Sequence, residues 1–164
     1  MKRVTVSKKA TKIKDELIRE IKKKTGNLYV GGNIIGNVVT FKSTCVLGNC
    51  KYCRHLDIFR IGINEDLLNK GTIKQIKDTL IHEIIHTLPN CWNHRQPFKT
   101  MADYYKRLTG YDALSDDCTG ILKRPTRNIT YVCVECGKVY HRARRNLNHR
   151  LCGKCLGKLE LKET

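Results

Sequence analysis

The chain has 164 residues, with 32 Lys or Arg against 15 Asp or Glu, a formal charge of +17 and a pI near 9.7. A hydrophobic content of 40% excludes global disorder, and no apolar run approaches the roughly 20 residues of a membrane span. The first residues carry charge without an apolar core, so no secretory leader is read there. The odd count of nine cysteines points to a reducing cytoplasm and metal ligation.

The charge is concentrated at the two ends: net +7 over residues 1–30, +5 over 31–130 and +5 over 131–164. Basic ends suit a polyanion, most often nucleic acid. Neither end carries a large apolar face beside its charge, which argues against a membrane surface.

In chain order, the spacing of Ile13, Leu17, Ile18 and Ile21 predicts an amphipathic helix over 11–25, stopped by Gly26. Short strands are predicted at Leu28–Val30, Ile34–Ile35, Val38–Phe41 and Ile58–Ile63. A second helix runs from Ile73 to Leu88, capped near Thr72 and stopped by Pro89. A third starts at Pro97, with Phe98, Met101, Ala102, Tyr105 and Leu108 as its buried stripe, and ends at Gly110. The predicted domains are a core over 1–112, a linker over 113–130 and a Cys-rich tail over 131–164.

Residues 82–86 read His-Glu-Ile-Ile-His, the H-E-x-x-H pattern. Two His four apart project from one helix face and can grip one zinc, and the Glu between them can take a proton from water. With His82 at zero and about 100° per residue, His86 falls near 40° and Glu83 near 100°, while the apolar residues fall between about 120° and 300°. The three polar residues thus share the one polar strip of a strongly apolar helix. A catalytic zinc needs a third protein ligand and an open position. His94, in the loop between Pro89 and Pro97, fits best; Asp103, Asp112 and Cys91 are weaker rivals.

The stretch LIHEIIHTLPNCWNHRQPFKTMADYYKRLTGY resembles the SprT-like zinc metalloprotease family, to which Spartan belongs. That family combines an HExxH helix, a loop bringing a third His, and a following helix. Its third His is commonly followed by Gly and then an aromatic; here Arg95 stands in place of the Gly, and Phe98 supplies the aromatic. The resemblance implies zinc ligation by His82, His86 and His94, with Glu83 as the catalytic acid and base. It implies a compact α+β, zincin-like metalloprotease core, and substrates that are DNA-associated or DNA-crosslinked proteins.

The tail reads Cys133-x2-Cys136-x15-Cys152-x2-Cys155, the spacing of a four-thiolate structural zinc. Gly137 and Gly153 suit the tight turns of zinc knuckles. SprT-like proteins often end in such a zinc ribbon, so the fold expected is an α+β core with a C-terminal ribbon and two zinc ions, one catalytic and one structural. Between the cysteine pairs, Arg142, Arg144, Arg145 and Arg150 crowd one loop with Tyr140, an arrangement suited to phosphates and an unpaired base, and hence to DNA with single-stranded character. His141 and His149 are alternative ligands that a filled tetrahedron does not need.

Cys45, Cys50, Cys53 and His55 have a permissive metal spacing, but buried reduced thiols are the favoured reading, and Cys118 is read as structural. Tyr104, Tyr105 and Tyr111 are equal candidates for steadying an oxyanion. The enzyme reading is a cytoplasmic zinc peptidase. The alternative is a non-catalytic nucleic-acid-binding zinc protein whose HExxH site is structural or regulatory, and Glu83 separates the two, because a purely structural site has no need of it.

Overall fold

The computed structural model describes residues 5–26, 33–34, 36–115, 120–122, 129–142 and 151–162, with Arg142 described by its backbone alone. The fold is mixed α+β in two units, Met1–Lys123 and Arg124–Thr164.

The first unit holds one four-stranded sheet built from β1 (Thr5–Val6), β2 (Val39–Phe41), β3 (Gly48–Cys53) and β4 (Ile58–Asn64), in the order β1-β2-β4-β3. β4 runs parallel to β2 and antiparallel to β3, with Gly48 opposite Ile63 and Cys50 opposite Ile61. Ile61 and Ile63 are fully buried, and on the opposite face Arg60 is exposed while Gly62 and Asn64 are buried, so the strand is covered on both faces towards its C-terminal end.

Four helices complete the unit. In α1 (Lys8–Thr25) the Ser7 hydroxyl caps the Ala10 N–H, so the helix begins three residues before the predicted start; Gly26 closes it at φ 61°. The short α2 (Glu65–Lys70) is capped by Asn64, whose amide also donates to the Ser43 and Val46 carbonyls. A reciprocal Thr72–Gln75 capping box starts α3 (Ile73–Ile85). Its stripe of Ile76, Leu80, Ile81, Ile84 and Ile85 is fully buried, each side chain contributing about 1.5–3 kcal/mol. The helix packs against β3, β4, α1 and α4 (Gln96–Thr109). Regular helix stops at Ile85, short of the predicted Leu88, and the chain continues to Leu88 as turns ahead of Pro89. On α4, Pro97 lies in the first turn, Phe98, Ala102 and Tyr105 are buried, and Gly110 ends the helix at φ 78°.

Of the predicted strands, Leu28–Val30 and Ile35 lie outside the described residues, and Ile34 makes an isolated bridge to Phe59. The segment read as a linker gives the core Ala113 and Ile121, both buried. Small and aliphatic residues beside Ser, Asp and Gly look like linker composition, yet these two pack into the core of the first unit.

The second unit is a three-stranded antiparallel sheet of β5 (Ile129–Cys133), β6 (Val139–Arg142) and β7 (Leu159–Lys162), in the order β6-β5-β7. Among its described residues, Tyr131, Cys133, Cys152 and Leu159 are buried. The first knuckle turns at Gly137, φ 68°, as expected. The left-handed position of the second is Leu156, φ 59°, and not Gly153.

Candidate metal centres

His82 and His86 leave α3 on the same side, and the loop after Pro89 returns His94 to them. His82 Nε2 lies 3.1 Å from His86 Nε2 and 3.0 Å from His94 Nε2. The outer nitrogens are spoken for: His82 Nδ1 stands 2.7 Å from the Ala113 carbonyl and His86 Nδ1 2.7 Å from the Cys91 carbonyl. A carbonyl only accepts, so each Nδ1 donates and each Nε2 is left a bare lone pair. Burial pushes His82 down to about 4, with His86 and His94 adding to the shift against the Ala113 hydrogen bond. His86 is pushed down chiefly by burial as well. Neutral rings with lone pairs converging at 3 Å repel one another unless a cation sits among them. Zinc–nitrogen bonds of about 2.0–2.1 Å at the tetrahedral angle would separate such nitrogens by about 3.3 Å, so the trio fits zinc.

Phe98, from the first turn of α4, forms the floor. Its ring centroid lies 4.9 Å from His82, 4.6 Å from His86 and 4.9 Å from His94. Arg95, where the resemblance leads one to expect Gly, is the N-cap of α4 with φ −79° and ψ −173°, extended backbone that any residue adopts. The departure therefore costs the loop no strain.

Glu83 is 5% exposed, accepts no hydrogen bond among the described residues, and is raised by burial to about 8. The strand β3 lies against it: a Cβ added at Gly48 would stand 2.5 Å from Glu83 Oε1. Glycine is what lets this backbone approach the carboxyl. Two residues along, burial and then the Glu83 charge push the Cys50 thiol up to about 12. Neither Gly48 nor the two clamping carbonyls stood out in the sequence. A lone Gly is ambiguous, and a backbone acceptor has no residue signature.

The rivals for the third ligand are elsewhere engaged. Asp112 pairs with Lys106 at 2.6 Å and takes its own N–H bond to Asp78. Cys91 has its thiol buried while its carbonyl serves His86, and Asp103 is exposed on α4. Of the three tyrosines, Tyr105 is a core residue and Tyr111 accepts from Lys77 at 2.8 Å; Tyr104 lies edge-on to Tyr105.

In the second unit the four thiols Cys133, Cys136, Cys152 and Cys155 converge. Cys133 and Cys155 Sγ are 3.4 Å apart, and Cys136 and Cys152 Sγ 3.6 Å. Four zinc–sulfur bonds of about 2.3 Å would set them about 3.8 Å apart, so this group also fits. The Tyr140 hydroxyl lies 3.2 Å from Cys152 Sγ and accepts from the Gly153 N–H at 3.0 Å. That hydroxyl is the first cause holding the Cys152 thiol low, in its ligating form. His141 instead faces Thr130 at 3.2 Å.

Among the described residues these are the only groups of three or more His, Cys, Asp or Glu that gather closely enough for a metal. Cys45, Cys50 and Cys53 do not gather, because successive β3 side chains alternate faces and Cys50 and Cys53 fall on opposite ones. Cys53 Sγ approaches only His55, at 3.4 Å. Arg144, Arg145, Arg150, His149 and Cys118 lie outside the described residues.

No protein-family model matches the chain, and no solved structure does. A protein named SprT-like from Lysinibacillus sphaericus (strain C3-41) is 32% identical over 112 residues, spanning 65% of this chain and 72% of the relative. That likeness joins a chain whose HExxH helix and returning His form one cluster, and the protein belongs to the SprT-like family.

Proposed function

We propose that the first unit is a zincin-like core and that the protein is a zinc-dependent endopeptidase acting on DNA-associated or DNA-crosslinked proteins. The observation that carries this reading is the convergence of the His82, His86 and His94 Nε2 atoms, the first two proton-free, beside a helix that also buries an unpartnered carboxyl, Glu83. A structural site would have no use for that carboxyl, whose desolvation the fold must offset.

His82, His86 and His94 would hold a zinc, which would supply Lewis acidity to polarise a carbonyl and lower the pKa of a water. Glu83 takes the proton from the attacking water and delivers it to the leaving amine. Burial raises this carboxyl in the metal-free protein, and the charge of a zinc at the His trio would offset that shift and favour the ionised form that accepts a proton. The Ala113 and Cys91 carbonyls keep the His82 and His86 rings in one tautomer, with Nε2 inward. The basic ends, with Arg142 at the end of β6 and Arg144, Arg145 and Arg150 beyond it, would hold the chain on DNA of single-stranded character.

The test is cleavage of a DNA-bound protein by wild type and Glu83→Gln, each with and without single-stranded DNA. Wild type is expected to cleave, faster with DNA. Glu83→Gln is expected to keep its zinc and lose about 10²–10⁴-fold in rate. A Glu83→Gln protein as active as wild type would overturn the mechanism.

A further inference from the structure

Asp78 is buried on α3, where a carboxylate is costly unless its oxygens are engaged. Both are. Oδ2 accepts from Lys74 Nζ at 2.7 Å, and Oδ1 accepts the Asp112 backbone N–H at 2.7 Å. The Asp112 carboxylate continues the path: Oδ2 takes Lys106 Nζ at 2.6 Å and Oδ1 takes the Leu114 N–H at 3.0 Å. That N–H lies in the same peptide plane as the Ala113 carbonyl, which accepts from His82 Nδ1 at 2.7 Å. A planar unit bonded at both its N–H and its C=O resists tilting away from the ring. Asp78 also stands about one helical turn before His82 on α3. The connections therefore close a ring, along the helix from Asp78 to His82, across to Ala113, and back through Asp112 to Asp78. His86 is held differently: its carbonyl partner Cys91 is five residues on, in a turn whose Cys91 N–H bonds the Leu88 carbonyl at 3.2 Å.

We propose that Asp78 and Asp112 are positioning residues for His82, locking the segment around Ala113 onto α3 so that its carbonyl holds the His82 ring with Nε2 aimed at the metal position. This rests on reading the His82–His86–His94 cluster as a metal site, and adds to it two carboxylates that ligate nothing themselves. The lysine partners do not account for the arrangement. The Lys74 and Lys106 side chains are 63% and 55% exposed, and pairs with such exposed partners are worth little. What draws Asp78 inward is the backbone N–H it must reach, and that N–H belongs to the segment that aims the ligand.

Cobalt(II) titration of the full chain tests this at both centres at once, because only the ribbon gives thiolate-to-metal charge-transfer bands. Asp78→Ala is expected to lower cobalt affinity at the His trio by about 10–100-fold, as loss of an outer partner does, and to leave the ribbon unchanged. Asp78→Asn keeps an oxygen for the Asp112 N–H and is expected to lose much less. Asp112→Ala is expected to lose about as much as Asp78→Ala, and the double variant little more than either, since both act on one peptide plane. Should Asp78→Ala fail to fold, Asp112→Ala, at a less buried position, carries the same comparison. The control is Leu17→Ala, a buried α1 residue, expected to lose stability with no change in cobalt affinity. By NMR, the His82 Nδ1–H signal is expected to exchange faster with water in Asp78→Ala while the His86 signal stays as it was. Unchanged affinity, an Asn variant as weak as Ala, additive losses, a Leu17→Ala loss equal to that of Asp78→Ala, or two His signals that move together would each overturn the positioning role. If the wild-type trio takes no cobalt, the metal reading fails, and the two N–H signals still decide whether Asp78 holds the His82 ring.

Discussion

At Glu83 the fold keeps a carboxyl out of water, and pH exposes the cost. In the metal-free protein burial lifts this group to about 8, so the folded state holds a proton that the unfolded chain has released. Stability linked to that proton is complete below the ordinary value of 4.5 and is lost as pH climbs through about 8. His82 works the other way: pushed down to about 4, it contributes fully above its ordinary 6.5 and loses that contribution as pH falls towards 4. Glu83→Gln removes the first dependence and leaves the second. In chelator, the melting temperature of Glu83→Gln should exceed that of wild type by a margin that widens from about pH 5 to about pH 8. A margin independent of pH would show that the carboxyl is not held away from water.

The element that assembles the centre is α4, through one side chain. Phe98 is fully buried beneath all three imidazoles, so it acts at once as core and as floor. Phe98→Ala should cost about 3–5 kcal/mol in denaturant unfolding and weaken zinc binding at the His trio. Phe98→Leu should recover most of the stability and less of the metal affinity, because a branched aliphatic fills volume without presenting a flat face to three rings. Equal metal affinity in all three proteins would reduce Phe98 to ordinary core. The two helices were legible in the sequence because their apolar residues recur at 3.6 and their ends carry residue signals: Thr72 for α3, Pro97 and Gly110 for α4. The pairing of β3 was not legible, since Gly-Asn-Cys-Lys-Tyr-Cys has little strand propensity and is held by its partner β4. The same applies to α2, six residues long and started by Asn64. The HExxH and four-Cys groups could be read because metal chemistry constrains residue type and spacing together. The carbonyls of Cys91 and Ala113 could not, because any residue could provide them.

For the whole molecule, the two units depend on metal differently. Among the described residues, the first buries a cluster of twenty, the second four, two of which are cysteines. A core that small cannot hold a fold by apolar burial, whereas structural zinc supplies about 10–16 kcal/mol. Metal analysis should find two zinc ions per chain. Chelation should abolish amide-exchange protection across 129–142 and 151–162 while leaving α1, α3 and α4 protected. Protection that persists in the ribbon after both ions are gone would contradict this division. The first unit has a dependence of its own, in time. His82 takes its ring orientation from Ala113, thirty-one residues further along the chain, whereas His86 needs only Cys91, five residues on. The His82 ring is therefore aimed only once Ala113 has docked, whereas the His86 ring can be set as soon as the turn at Pro89 has formed. The grip tightens only as Ala113 docks, which makes the readiness of the centre a record of how much of the chain has folded.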